Sequence, residues 1–167
     1  GPHSNGYSLI RRLIAETGSG PETRLGDARL VDVLMEPTRI YVKSLLKLAA
    51  AVDVRAYAHI TGGGLTDNIP RVLPDELGVR LDLGAWKREP VWDWIQSSGR
   101  ISDAEMHRTF NCGIGMIAVL PRTDVQAAIE LLRAGGEQAS VIGEVVAGAK
   151  FTKLVRGLDA AVQAAAK

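Results

Sequence analysis

The spacing of apolar residues divides the chain into helical and extended stretches. Leu9, Ile10, Leu13 and Ile14 recur at the helical period, with Ser4 or Asn5 placed to cap a helix that runs to Thr17 and stops at Gly18. Residues 19–27 are rich in Gly, Pro and polar side chains and read as a loop. A short amphipathic piece over Arg29–Met35 ends at Pro37. Thr38 is then placed to cap a second full helix, with Val42, Leu45, Leu46, Ala49 and Val52 as its buried stripe. The period next changes to two. Val54, Ala56, Ala58 and Ile60 alternate with Arg55, Tyr57, His59 and Thr61, the pattern of a half-buried strand. A second strand is predicted at Val79–Leu83. Pro90 suits the first turn of a helix carrying Val91, Trp94 and Ile95 on one side. Ser102 with Glu105, and Thr123 with Gln126, read as capping boxes. Ile114–Leu120 is almost wholly apolar, as expected of a strand covered on both faces. Val125, Ile129 and Leu132 share a helical face, and Ala139–Val146 is the last predicted strand. In the tail, Phe151, Leu154, Val155, Leu158 and Val162 return to helical spacing, with Gly157 as a weak point.

This alternation predicts an α/β (α+β) fold, a mixed β-sheet layered with α-helices. The connections differ in length, which argues against a repeated βαβ pattern. The chain of 167 residues suits one domain, or a domain plus a tail. Its formal charge of +1 and lack of a basic run argue against a nucleic-acid surface. An apolar run of about 18 residues, the length of a membrane span, is missing, and so is a signal-peptide pattern. The one cysteine, Cys112, excludes an internal disulfide and a cysteine-cluster zinc site, and it fits a reducing compartment. His3, His59 and His107 lack metal-ligand spacing, so no metal site is assigned.

Three segments carry candidate chemistry. His3-Ser4-Asn5-Gly6 precedes a helix, where unpaired N–H groups and the dipole favour an anion; the plainer reading is an ordinary cap. Gly62-Gly63-Gly64 follows a strand and leads into Thr66-Asp67-Asn68. Three consecutive glycines can form a nest of N–H groups, or a tight turn where backbone packs on backbone. The loop fits neither of the two common glycine-rich nucleotide motifs. Arg71 can hold phosphate or carboxylate bidentately, and Asp67 reads as a solvated charge, since one carboxylate is a poor metal site. The third segment is Thr109-Phe110-Asn111-Cys112-Gly113-Ile114-Gly115. Its cysteine reads as a small apolar filler and its glycines as close-packing positions.

Taken in order, these segments resemble the C-terminal half of the phosphoribosylformylglycinamidine cyclo-ligase (aminoimidazole ribonucleotide synthetase) family. The runs 36–44, 70–74 and 142–145 resemble it too, and the resemblance covers Gly1 to about Gly148. It implies a C-terminal domain over residues 1–148, a helical tail over 149–167, and an N-terminal ATP-binding and dimerising half outside this chain. In that family ATP activates the formyl-amide oxygen of formylglycinamidine ribonucleotide, an internal nitrogen attacks the activated carbon, and phosphate leaves as the imidazole ring of a purine precursor closes. The resemblance implies that His3 is the catalytic candidate and that Ser4, Asn5, Gly6, Gly62, Gly63, Gly64, Asn68 and Arg71 face the phosphoribosyl substrate. It implies ATP and Mg²⁺ as cofactors of the complete enzyme, neither held tightly by this piece alone, and a cytoplasmic homodimer with no nucleic-acid or membrane partner. Two readings compete with it. One is a non-catalytic module that binds an anion or a partner protein; the other is a domain of a related ATP-using enzyme of the selenophosphate synthetase or thiamine-phosphate kinase type.

Overall fold

A computed structural model describes residues 1–148 and 150–157, and the chain traces two compact units. The first is assembled from Gly1–Arg39, Ile60–Asn68 and Lys87–Gly115; the second takes Ile40–His59, Ile69–Trp86 and the chain from Met116 onward. Helices and mixed or antiparallel sheets make this an α+β fold. Among the described residues no helix is long and apolar enough to cross a membrane.

In the first unit, α1 (Tyr7–Thr17) buries Ile10 and Leu13, the centre of its predicted stripe, and ends at Gly18 in the left-handed conformation. Its start differs from expectation. Gly6 occupies the cap position, and neither Ser4 nor Asn5 caps the helix because both side chains are engaged elsewhere. A two-stranded ribbon, β1 (Arg24–Leu25) and β2 (Ala28–Arg29), leads into α2 (Leu30–Leu34). Pro90 opens α5 (Pro90–Gly99), where its missing N–H costs nothing. The helix buries Val91, Trp92 and Ile95, while Trp94 is partly buried. The hydroxyl of Ser102 accepts from Glu105 N–H at 3.3 Å and so caps α6 (Asp103–Thr109), as expected. Met106, Phe110 and Cys112 join these helices in one apolar core. The unit also holds α4 (Gly64–Asn68).

In the second unit, α3 (Val42–Ala51) starts later than the Thr38 cap predicts, because the Thr38 hydroxyl pairs with Ser4. The predicted stripe is corrected as well. Leu48 is buried, whereas Val42 and Leu46 are 60% and 67% exposed. The inward side is fixed by polar contacts that periodicity does not show: Tyr57 OH donates to Leu45 O at 2.9 Å, and Ser44 OH donates to Glu137 at 2.6 Å. Strand β3 (Ala56–His59) pairs antiparallel with β5 (Met116–Val119), in register Tyr57 to Ala118. β5 is half-buried along its length, every residue partly exposed, and so is not covered on both faces as its apolar run predicts. The second capping box is also absent. Thr123 sits in a 3-10 turn and its hydroxyl contacts Asp124 at 3.1 Å, and α7 (Val125–Ala134) follows.

The mixed sheet is centred on β4 (Leu77–Asp82), antiparallel to β6 (Gly143–Ala147) and parallel to β7 (Thr152–Val155). β7 replaces the helix expected at the start of the tail. Val79 N–H donates to Phe151 O at 2.9 Å and Leu83 N–H to Val155 O at 3.0 Å, so a ladder to a distant strand outweighs local helical spacing. Asp82 holds the end of β7: its Oδ1 accepts from Gly84 N–H at 2.8 Å and Gly157 N–H at 2.9 Å. Leu158 and Val162 of the predicted tail helix lie outside the described residues.

Candidate functional site

The loop before α1 owes its course to two left-handed residues, His3 (φ 56°) and Gly6 (φ 78°). The side chains of Ser4 and Asn5 are engaged away from the helix start. The hydroxyls of Ser4 and Thr38 lie 3.0 Å apart, and the Asn5 amide donates to the carbonyl of Thr109. The first helical bond runs from Ile10 N–H to Gly6 O at 3.0 Å. The N–H groups of Tyr7, Ser8 and Leu9 therefore precede the ladder. No acidic side chain occupies that first turn to compete for them.

The triple-glycine loop is anchored on both sides. Ile60 and Leu65 are fully buried, and Ile60 N–H donates to Gly115 O at 3.0 Å. Within the loop, Gly64 N–H donates to Thr61 O and Asp67 N–H to Gly63 O, each at 3.0 Å. Gly64 has φ +55°, and a Cβ there would overlap the carbonyl oxygen of His107 and stand 2.8 Å from that of Phe110. Only glycine meets both demands. Asn68 is buried, and its amide donates to Gly64 O at 2.8 Å, Gly62 O at 3.2 Å and Thr61 O at 3.3 Å. It holds the loop in shape, a part not anticipated from the sequence, although its place one helical turn after Gly64 was a usable signal.

The two loops adjoin. A Cβ on Gly62 would stand 3.2 Å from Asn5 Oδ1. His3, Ser4, Asn5, Gly6, Gly62, Gly63, Gly64 and Asn68 thus belong to the first unit, with Asn5 beside Gly62 as the point of contact. Arg71 is exposed on a 3-10 turn, Pro70–Val72, of the second unit. Asp67 is exposed on α4. Among the described residues no three His, Cys, Asp or Glu side chains gather as a metal site.

The third segment passes beneath both loops. Cys112 is fully buried at φ 49°, with its sulfur 3.5 Å from Met106 O. Burial pushes its thiol up to about 12, opposed by the charge of Arg88 and aided by that of Asp103. The thiol is therefore protonated near neutral pH, opposite to what a nucleophilic cysteine needs. Burial also lowers the pKa of His107, aided by the charge of Arg88 and opposed by Asp103. These side chains belong to the packing under the loops, as the apolar surroundings of Cys112 in the sequence suggest.

The profile of the family described as AIR synthase related protein, C-terminal domain, matches residues 1–156. The matched span takes in both loops, the segment beneath them, and β7. The chain, over nearly all of its length, belongs to the AIR synthase related proteins as their C-terminal domain.

Proposed function

We propose that this domain binds the phosphoribosyl substrate of an ATP-dependent cyclo-ligase that closes the imidazole ring of formylglycinamidine ribonucleotide. The observation that carries the proposal is the juxtaposition of Asn5 with Gly62, which sets the start of α1 beside the glycine loop. Backbone N–H groups at a helix start and in a glycine nest both favour a phosphate, and their partial charges converge only if the two loops adjoin. Tyr7, Ser8 and Leu9 supply the helix-start donors, and Gly62 and Gly63 supply the second set, the Gly64 N–H being spent on Thr61 O. His3 stands in the same loop, three residues before the Gly6 cap, as the candidate proton donor. Asn68 acts by holding the glycine loop. This reading assigns Mg²⁺ and most ATP contacts to an N-terminal half, which also dimerises.

The test joins this domain to such a half and follows ring closure. Aminoimidazole ribonucleotide should form with the two halves together and not with this chain alone. Turnover by this chain alone would refute the division of labour. Selenophosphate or thiamine diphosphate formed by the joined protein, with no ring closure, would place the domain with another AIR synthase related enzyme.

A further inference from the structure

We infer that Phe110 is a positioning residue that sets the separation of the two loops, an inference that rests on the phosphate-binding reading above. Phe110 is 1% exposed, and its ring packs tilted against Trp92 at a centroid distance of 5.8 Å. A Cβ on Gly6 would overlap Cε1 of that ring and stand 2.8 Å from Cζ and 2.9 Å from Cδ1. The carbonyl oxygen of the same residue would stand 2.8 Å from a Cβ on Gly64. One residue therefore abuts the first loop with its ring and the second with its backbone. Its neighbour reinforces the arrangement, because the Thr109 carbonyl accepts the Asn5 amide.

Phe110 is poorly able to follow either loop if one moves. Its N–H donates to Met106 O at 2.9 Å at the end of α6. The following turn is closed by Gly113 N–H donating to Asn111 Oδ1 at 2.9 Å and Ile114 N–H to Asn111 O at 2.9 Å. Close-packed interiors transmit displacement because they have little free volume to absorb it. A push on the ring at Gly6 should therefore be felt at Gly64. Glycine at both positions lets the two backbones come down onto Phe110, which brings the N–H groups of the two loops to one place.

Inorganic phosphate is the probe, and backbone amide NMR of the whole chain is the readout. In the unaltered protein, amides of Tyr7–Leu9 and of Gly62–Gly64 should shift together along one binding curve. Phe110→Leu keeps an apolar side chain in the core but withdraws the ring edge; it should weaken phosphate binding at least about tenfold and leave the two sets of amides on separate curves. Gly6→Ala pushes on the ring without removing core, and it should weaken the response of Gly62–Gly64, residues it does not touch. Ile95→Val, in the same core, lowers stability alone and should leave the binding curve in place. Phosphate binding by Phe110→Leu or Gly6→Ala within twofold of the unaltered protein, on one shared curve, overturns the inference. An unaltered protein whose loop amides ignore phosphate overturns the anion reading itself, and the role of Phe110 falls with it.

Discussion

The thiol of Cys112 offers a clean measurement, because it is the chain's one cysteine. Burial raises its pKa from an ordinary value of 9.0 to about 12. At pH 8 an exposed thiol is ionised to about 10%, whereas a thiol titrating near 12 is ionised to about 0.01%. Alkylation proceeds through the thiolate, so native Cys112 should react with iodoacetamide on the order of a thousand times more slowly than the same chain unfolded in urea. Mass spectrometry of timed aliquots reads both rates on one site. The same shift bears on stability. The thiol stays protonated in the fold while that of the unfolded chain ionises, so the contribution is intact below about pH 9 and is lost as pH rises from there toward 12, by roughly 1.4 kcal/mol per pH unit. A native rate within about tenfold of the unfolded rate at pH 8 would show the sulfur to be accessible or activated. Its assignment to packing would then be wrong.

Gly64→Ala should lower the melting temperature by about 6–12 °C in calorimetry, from roughly 3 kcal/mol of backbone strain plus overlap with the carbonyls of His107 and Phe110. Gly18→Ala shares a positive φ but meets no atom within 4 Å, so it should cost only about 1 kcal/mol; equal losses in the two variants would show that the carbonyl contacts do not matter. His107 has its folded pKa lowered by burial, so its contribution is present above the unfolded value near 6.5 and is lost as pH falls below it. Urea midpoints measured against pH should decline on that acid side, and His107→Gln should flatten the decline; an unchanged acid limb would refute the assignment.

The parts of the fold legible in the sequence are those decided within one or two helical turns. Ile10 and Leu13 reveal the inward face of α1, Pro90 marks the first turn of α5, and Ser102 caps α6. Illegible parts depend on distant partners. The Thr38 hydroxyl goes to Ser4 and not to a helix start, and Val42 and Leu46 face outward where periodicity alone would bury them. Phe151, Leu154 and Val155 satisfy helical spacing, and only pairing with β4 makes their stretch a strand. The site divides in the same way. Its two loops stand out locally as clusters of Ser, Asn and Gly, each of which also reads as a cap or a tight turn. Their adjacency was expected from the resemblance, which sets both against one substrate; the residue pattern alone does not show it, since it passes through Thr109 and Phe110, residues that have no chemical signature of their own.

The way the two units share the chain bears on how the protein can be made. Each unit draws on three separated stretches, and the backbone passes from one unit to the other five times. Neither unit can be excised as one continuous gene segment. On the ribosome, the loops flanking Gly6 and Gly64 must wait for residues up to Gly115 before the floor beneath them exists, and β4 must wait longer for β7. Contacts so far apart in sequence slow folding, because chain closure is costly before any contact rewards it. Truncation from the C-terminal side would thus strip β4 of a partner while leaving every residue of the two loops in place. A library of shortened chains should show a sharp loss of soluble yield once β7 is cut, well before the cut reaches any residue of the site.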